Sequence, residues 1–132
     1  MIVLAIDYGE RRVGLAIGNT EIKLALPYGV LERDSDELLV EQLRQVIVEE
    51  DVGTLVVGEP LSASGSASAQ TMSSREFAVL LRQEFTLPVV LFDERFTSQR
   101  ADAAAAMGGK VRGRDELAAM FLLQDYLDSQ PA

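Results

Sequence analysis

The sequence predicts an α/β fold: a five-stranded mixed sheet of order 3-2-1-4-5 with helices on both faces. Three observations lead there. Ile2-Val3-Leu4-Ala5-Ile6 is an unbroken apolar run, the mark of a strand covered on both faces, and Leu55-Val56-Val57 and Pro88-Val89-Val90-Leu91-Phe92 repeat it further along. The runs are separated by stretches with apolar residues at helical spacing, so they join through crossovers and lie parallel. Two alternating stretches directly after the first run carry no helical signal and read as antiparallel strands added by hairpins.

Taken in order, the first run ends abruptly in Asp7-Tyr8-Gly9. Gly9 allows a tight reversal, and Val13, Leu15 and Ile17 alternating with Gly14, Ala16 and Gly18 read as the returning strand, one face of which is made of small residues. Ile22, Leu24 and Leu26 alternate with Glu21, Lys23 and Ala25 as a half-exposed edge strand that Pro27 interrupts. Asp34 with Glu37 resembles a capping box. It would open a helix to about Glu50 whose inward stripe is Leu39, Leu43, Val46 and Ile47; the outer Asp36, Glu37, Glu41 and Glu49 read as a solvated face.

The strand at Leu55-Val56-Val57 ends in Gly58-Glu59-Pro60, where Glu59 reads as an exposed loop residue or a further acid at the rim. Ser62 to Ser68 has the composition of a flexible loop; its N–H groups could meet a phosphate at the next helix N-terminus, but a plain mobile loop is the better reading. Phe77, Leu80, Leu81 and Phe85 mark the second helix, and the fifth strand ends in Asp93-Glu94-Arg95-Phe96-Thr97-Ser98. Thr97 or Ser98 caps a short Ala-rich helix from Gln99 to Ala106, Met107 to Gly113 is a glycine-broken basic loop, and a last amphipathic helix runs from about Arg114 to Asp128.

At 132 residues the chain reads as one domain, residues 1–132, large enough to bury a core without staples. Its lack of cysteine and histidine excludes disulfides, thiolate and imidazole catalysis, and the soft metal-ligand sets, leaving carboxylates, hydroxyls, Lys and Arg for any chemistry. No apolar stretch has the length of a membrane span and the first residues enter a strand directly, so the expected location is the cytoplasm. The net charge of −9 opposes a polyanionic partner. Its distribution offsets that objection. Eight of the 21 acids lie between Glu32 and Asp51, whereas Arg11, Arg12, Arg95, Arg100, Lys110, Arg112 and Arg114 lie close in sequence to Asp7, Glu94 and Asp115.

Asp7 by itself is explained as a strand-ending turn residue, and Asp115 as a helix-opening acid that complements the helix dipole. Together with the acids that end the fifth strand they gain a second meaning, because functional groups gather at the carboxyl ends of parallel strands. Asp93 and Glu94 point to opposite faces if the strand geometry persists, so one is the candidate and the other its neighbour. Asp115 shares a helical face with Ala118, Ala119 and Leu122, whose small side chains allow close packing on a strand. Without His or Cys, such a carboxylate set suits Mg²⁺ or Mn²⁺ and two-metal phosphodiester hydrolysis.

Asp7-Tyr8-Gly9 with Val13-Gly14-Leu15-Ala16, Val56-Val57-Gly58-Glu59-Pro60-Leu61, Asp93-Glu94-Arg95-Phe96-Thr97-Ser98, and Asp115-Glu116-Leu117-Ala118-Ala119 with Leu123-Gln124-Asp125-Tyr126-Leu127 occur in an order that resembles the bacterial YqgF/RuvX family of Holliday-junction-resolvase-like nucleases. The resemblance spans nearly the whole chain. It implies an RNase H-like fold, an acidic site at Asp7, Glu94 and Asp115 holding Mg²⁺ or Mn²⁺, and a role in maturing the 5′ end of the small-subunit rRNA precursor, with junction resolution as the older assignment. Arg11, Arg12, Arg95, Lys110, Arg112 and Arg114 are the candidates for contacting the phosphates of that rRNA precursor or branched DNA, and Asp93 is the reserve for Glu94. A monomer or homodimer is expected. Two departures from the family pattern are visible: Glu59 stands where an apolar residue is usual, and the Ser/Ala/Gly loop lacks the Asn and Asp often found there. Asp-x-Gly before a hairpin also opens actin-like and sugar-kinase ATPases, which enclose a nucleotide between two such domains, and a non-catalytic nucleic-acid-binding module is the remaining alternative.

Overall fold

The computed structural model describes residues 1–94 and 114–131. Strands β1 (Ile2–Tyr8), β2 (Arg12–Asn19) and β3 (Leu24–Glu32) precede helix α1 (Asp36–Glu50), strand β4 (Val52–Glu59), helix α2 (Ala69–Glu84), strand β5 (Val89–Asp93) and helix α3 (Arg114–Ser129). The sheet has the order β3-β2-β1-β4-β5, with β1–β2 and β2–β3 antiparallel and β1–β4 and β4–β5 parallel. The expected helix at 99–106, its cap at Thr97 or Ser98 and the basic loop at 107–113 lie outside the described residues. No described helix is long and apolar enough to cross a membrane.

Strand periodicity sorts β1 onto two cores. Leu4, Ile6 and Tyr8 join Leu39, Leu43, Leu55, Val57, Phe77 and Leu81 on the face that α1 and α2 cover. Val3 and Ala5 join Ala16, Val56, Ala119, Leu122, Leu123 and Leu127 under α3. The α3 side of β2 is lined by Gly14, Ala16 and Gly18, and that is why this helix can lie so low. A Cβ at Gly14 would run into the Asp115 carbonyl oxygen, and one at Gly18 would stand 3.1 Å from the Leu123 and Leu127 methyls. Gln124 of α3 adds a polar anchor, accepting from the Ala25 N–H and donating to the Lys23 carbonyl at 3.0 and 2.9 Å, so the edge strand is tied to the helix above it.

Three elements differ in detail from the sequence reading, each for a local reason. Ser35, not Asp34, caps α1: its hydroxyl accepts from Leu38 N–H at 3.1 Å. Strand β3 begins after Ile22 and runs through Pro27, since a register shift between Leu15 and Ala16 absorbs the imino acid on an edge. Within it Ala25 is buried while Leu24 and Leu26 face solvent, because only a small residue fits beneath α3. Helix α2 starts at Ala69, well before Phe77, its first large buried residue, because Ser68 and Thr71 form a reciprocal capping box. Its upstream loop is held by hydroxyl contacts from Ser62 to Ser64 and Ser64 to Ser66, at 2.9 and 3.1 Å.

Gly14→Ala tests the low seat of α3. The obstacle is backbone rather than a flexible side chain, so the helix start must lift, and we expect a loss of about 1–3 kcal/mol of stability in denaturant unfolding. Unchanged stability would mean that α3 does not rest on β2 as described.

Candidate active site

The site forms where β1, β4 and β5 end. The parity that puts Val3 and Ala5 under α3 puts Asp7 there too, and Gly14 is its antiparallel partner on β2. On β5, Val90 and Phe92 pack against the α3 core, so Glu94 follows them onto the same face, while Asp93 belongs to the other. The backbone continues the ladder one step beyond the strand, with Glu94 N–H donating to the Glu59 carbonyl at 3.2 Å. Gly58 supplies the floor: a Cβ there would collide with the Glu94 carboxyl and approach Leu122 to 3.1 Å. Glu94 therefore lies across β4 and reaches Asp7 on β1, to which it is hydrogen-bonded.

Two carboxyl groups can hydrogen-bond only if one carries a proton. Burial first, then the negative charge of Asp7, the hydrogen bond with it and the charge of Asp93 push the Glu94 carboxyl up from 4.5 to about 9. At neutral pH the pair thus carries one charge rather than two.

Asp115 enters from α3, whose first turn rests on Gly14. Its carboxylate is held by Arg12, with Nε to Oδ2 at 2.8 Å. Among the described residues no three acidic side chains are gathered closely enough to hold an ion between them. Asp7 and Glu94 are together, and Asp115 is on the same side of the sheet, turned to an arginine.

Glu59 is a correction. Its side chain is one-fifth exposed and paired with Arg75 of α2 at 2.7 Å, so it is neither a free loop residue nor a member of the Asp7–Glu94 pair. Asp36, read as solvated, accepts from the Tyr8 hydroxyl at 2.7 Å, and the Tyr8 ring stacks on Phe77 with the Arg33 guanidinium 4.1 Å over its other face. These contacts brace the β1 end from behind: Arg33 donates to the Gly9 carbonyl at 3.1 Å and Gln70 to the Tyr8 carbonyl. Burial and the Asp36 contact hold the Tyr8 phenol above its ordinary range, so it stays neutral. Of the basic candidates, Arg11 is exposed in the β1–β2 turn and Arg12 is paired; Arg95, Lys110 and Arg112 lie outside the described residues, as does the side chain of Arg114. Sequence reasoning missed Gly58 and Gln70. The glycine was visible at the end of an apolar run, but nothing local says which side chain will lie over it.

The mixed sheet with its acids at the carboxyl ends of β1 and β5 defines an RNase H-like domain. The same fold occurs in Thermus thermophilus RuvC in complex with Holliday junction substrate, with a TM-score of 0.65 at 13% identity over 96% of this chain and 94% of that one. The sequence matches the family described as "RuvX: Holliday junction resolvase" over residues 1–129, and the chain belongs to that family. Relatives named "Putative pre-16S rRNA nuclease" include one from Koribacter versatilis, 40% identical over 96% of this chain and 86% of its own length, and one from Maridesulfovibrio salexigens, 36% identical over 96% and 98%. By this membership the chain is a nuclease, a hydrolase of phosphodiester bonds.

The shared proton has a stability signature. The unfolded Glu94 ionises near 4.5 and the folded one near 9, so between those values the folded state holds the extra proton and stability falls as pH rises. The contribution is complete below about 4.5 and gone above about 9. Glu94→Gln should flatten this slope and, in metal-free buffer at about pH 8, melt higher than the parent chain. Parallel pH profiles of the two proteins would show that the carboxyls do not share a proton.

Proposed function

We propose that Asp7, Glu94 and Asp115 hold Mg²⁺ or Mn²⁺ and that the chain cleaves structured nucleic acid, with the 5′ end of the pre-16S rRNA as its substrate. The observation that carries this reading is the Asp7–Glu94 pair itself. Two carboxyls pressed together at a strand-end cleft, one forced to keep a proton, form a site in which an added dication removes the repulsion that the proton now relieves. The donor set is all oxygen in a chain without His or Cys, which fits a hard cation. Such ions supply Lewis acidity at the attacked phosphate, activating water and stabilising the leaving oxygen.

The chain's own residues supply position. Gly58 lets Glu94 lie flat toward Asp7, and Gly14 brings the first turn of α3, with Asp115, onto the same face. To hold a cation as a carboxylate, Glu94 would have to give up the proton it keeps against Asp7. Arg11, Arg12, Arg95, Lys110, Arg112 and Arg114 hold the backbone phosphates without reading bases, so recognition is by shape and weakens with salt. The chain works in the cytoplasm as a monomer or homodimer, to be settled by sedimentation at several concentrations.

A second substrate reading is branched DNA, favoured by the family description and by the fold shared with a junction resolvase. Cleavage of an rRNA precursor and of a four-way DNA junction, each with Mg²⁺, Mn²⁺ or chelator, separates the two. Asp7→Asn should lower the rate on the order of 10³-fold or more, the size of several kcal/mol of transition-state stabilisation. Full activity in that variant, or metal-independent cleavage by the parent chain, would remove the acidic site from the reaction.

A further inference from the structure

Arg12, Gly14, Ala16 and Gly18 alternate along one side of β2, the side on which α3 lies. Gly14 seats the first turn of α3, so the next residue outward on that side, Arg12, comes directly against the Asp115 carboxylate at 2.8 Å. Its cross-strand neighbour on β3 is Glu32, a second acid acting on the same guanidinium. On the reading above, Asp115 belongs to the cation and Arg12 to a phosphate. The contact uses Arg12 Nε and Asp115 Oδ2, so each group's hold on the other weakens its pull on a cation or a phosphate.

We infer that Arg12 is a cation-released positioning residue: it occupies Asp115 while no divalent ion is bound, and the entry of the ion frees its guanidinium for a phosphate of the nucleic acid. The inference rests on the proposed metal-dependent function and adds an order of events to it.

Three physical points carry it. A guanidinium and a dication compete for the same carboxylate, so binding of one opposes binding of the other. The pair is open to solvent, with side-chain exposures of 55% for Arg12 and 32% for Asp115, so the exchange meets little desolvation or packing resistance. The planar fork of arginine matches phosphate as well as it matches carboxylate, so the freed group has a partner of equal geometric fit. In the metal-free site the Arg12 guanidinium is then the positive group on Asp115, standing where the ion would act. Linkage makes the coupling reciprocal. A nucleic acid that takes Arg12 must tighten cation binding by the factor by which the cation tightens nucleic-acid binding through Arg12.

The test uses the full chain and Arg12→Gln. Calorimetric titration with Mn²⁺ in the absence of nucleic acid should show the variant binding more tightly, by about two- to fivefold, the range for losing an exposed competing ion pair. Affinity for a labelled structured RNA is then measured in chelator and in Ca²⁺, which takes the same oxygen ligands, with the RNA checked for integrity. Parent and variant should bind alike in chelator, and the variant should fall behind by about threefold or more in Ca²⁺, within the reach of one charge-assisted phosphate contact. Mn²⁺ binding equal to or weaker than that of the parent chain, or an Arg12 contribution to RNA affinity that is the same in both conditions, would overturn the inference while leaving the metal site intact. A parent chain that takes no Mn²⁺ would overturn the proposed function, and this inference with it.

Discussion

The hydrogen bond between Asp7 and Glu94 constrains everything around it, because two carboxyls in one partly enclosed cleft can hold a single negative charge at low cost but not two. Each side chain reaches it by a different route. Asp7 is carried there by a central strand covered on both faces, and Glu94 lies just past the shortest described strand, held in register by its own N–H on the Glu59 carbonyl. The cores on the two faces of β1 fix its position, so the cleft cannot relax by letting Asp7 drift away. Repulsion that would separate two surface carboxylates is here met by protonation, and that leaves the pair open to a stronger cation.

Glycine placement makes this arrangement sterically possible. At Gly58 and Gly14 the backbone itself is the binding surface, in one case for the Glu94 carboxyl and in the other for the first turn of α3. Neither position requires an unusual backbone conformation; the only described glycine with a positive φ is Gly65 in the serine-rich loop. Both glycines are there for close approach, in the same layer of the sheet as Asp7. Opposite them, the layer behind Asp7 is bulky and aromatic, with Tyr8 stacked on Phe77 and capped by Arg33. One side of the strand end is packed by large side chains, and on the other the glycine backbone is met directly by the Glu94 carboxyl and the first turn of α3.

Much of this was legible in the sequence because it follows from two periods. Continuous apolar runs identified the three parallel strands, and alternation in β2 exposed its small-residue face before any partner for it was known. Strand parity separated Asp93 from Glu94, and α3 packing on the side of Val90 and Phe92 puts Glu94 on the face that Asp7 shares. What was not legible depends on residues far apart in the chain. The Glu59–Arg75 pair joins β4 to α2, and Asp36 serves a tyrosine 28 positions earlier, so both acids looked like solvated charge. The α1 cap slipped by one residue since Asp34 and Ser35 are both good caps and only the path of the chain chooses. In β3 Leu24 and Leu26 face solvent, because proximity of a helix outranks hydrophobicity where there is room only for Ala25.

Charge is the remaining constraint on how a chain of net −9 meets a polyanion. Arg12, Arg33, Arg44 and Arg75 each contact a carboxylate, namely Asp115, Asp36, Glu41 with Glu84, and Glu59. A guanidinium so engaged presents little net field to a phosphate, and these four cannot attract a nucleic acid from a distance. On the proposed function, a dication at the acidic site would offset the Asp7–Glu94 charge and compete for Asp115, which lowers the negative charge a nucleic acid meets there. The Arg33 and Arg75 pairs lie on the opposite side of the sheet, Arg33 against a tyrosine ring and Arg75 on a strand-end glutamate, and a cation in the cleft touches neither. Arg12 differs from them in one respect: its carboxylate partner stands on the cleft side, so a cation there changes both the charge at the site and the freedom of the arginine beside it.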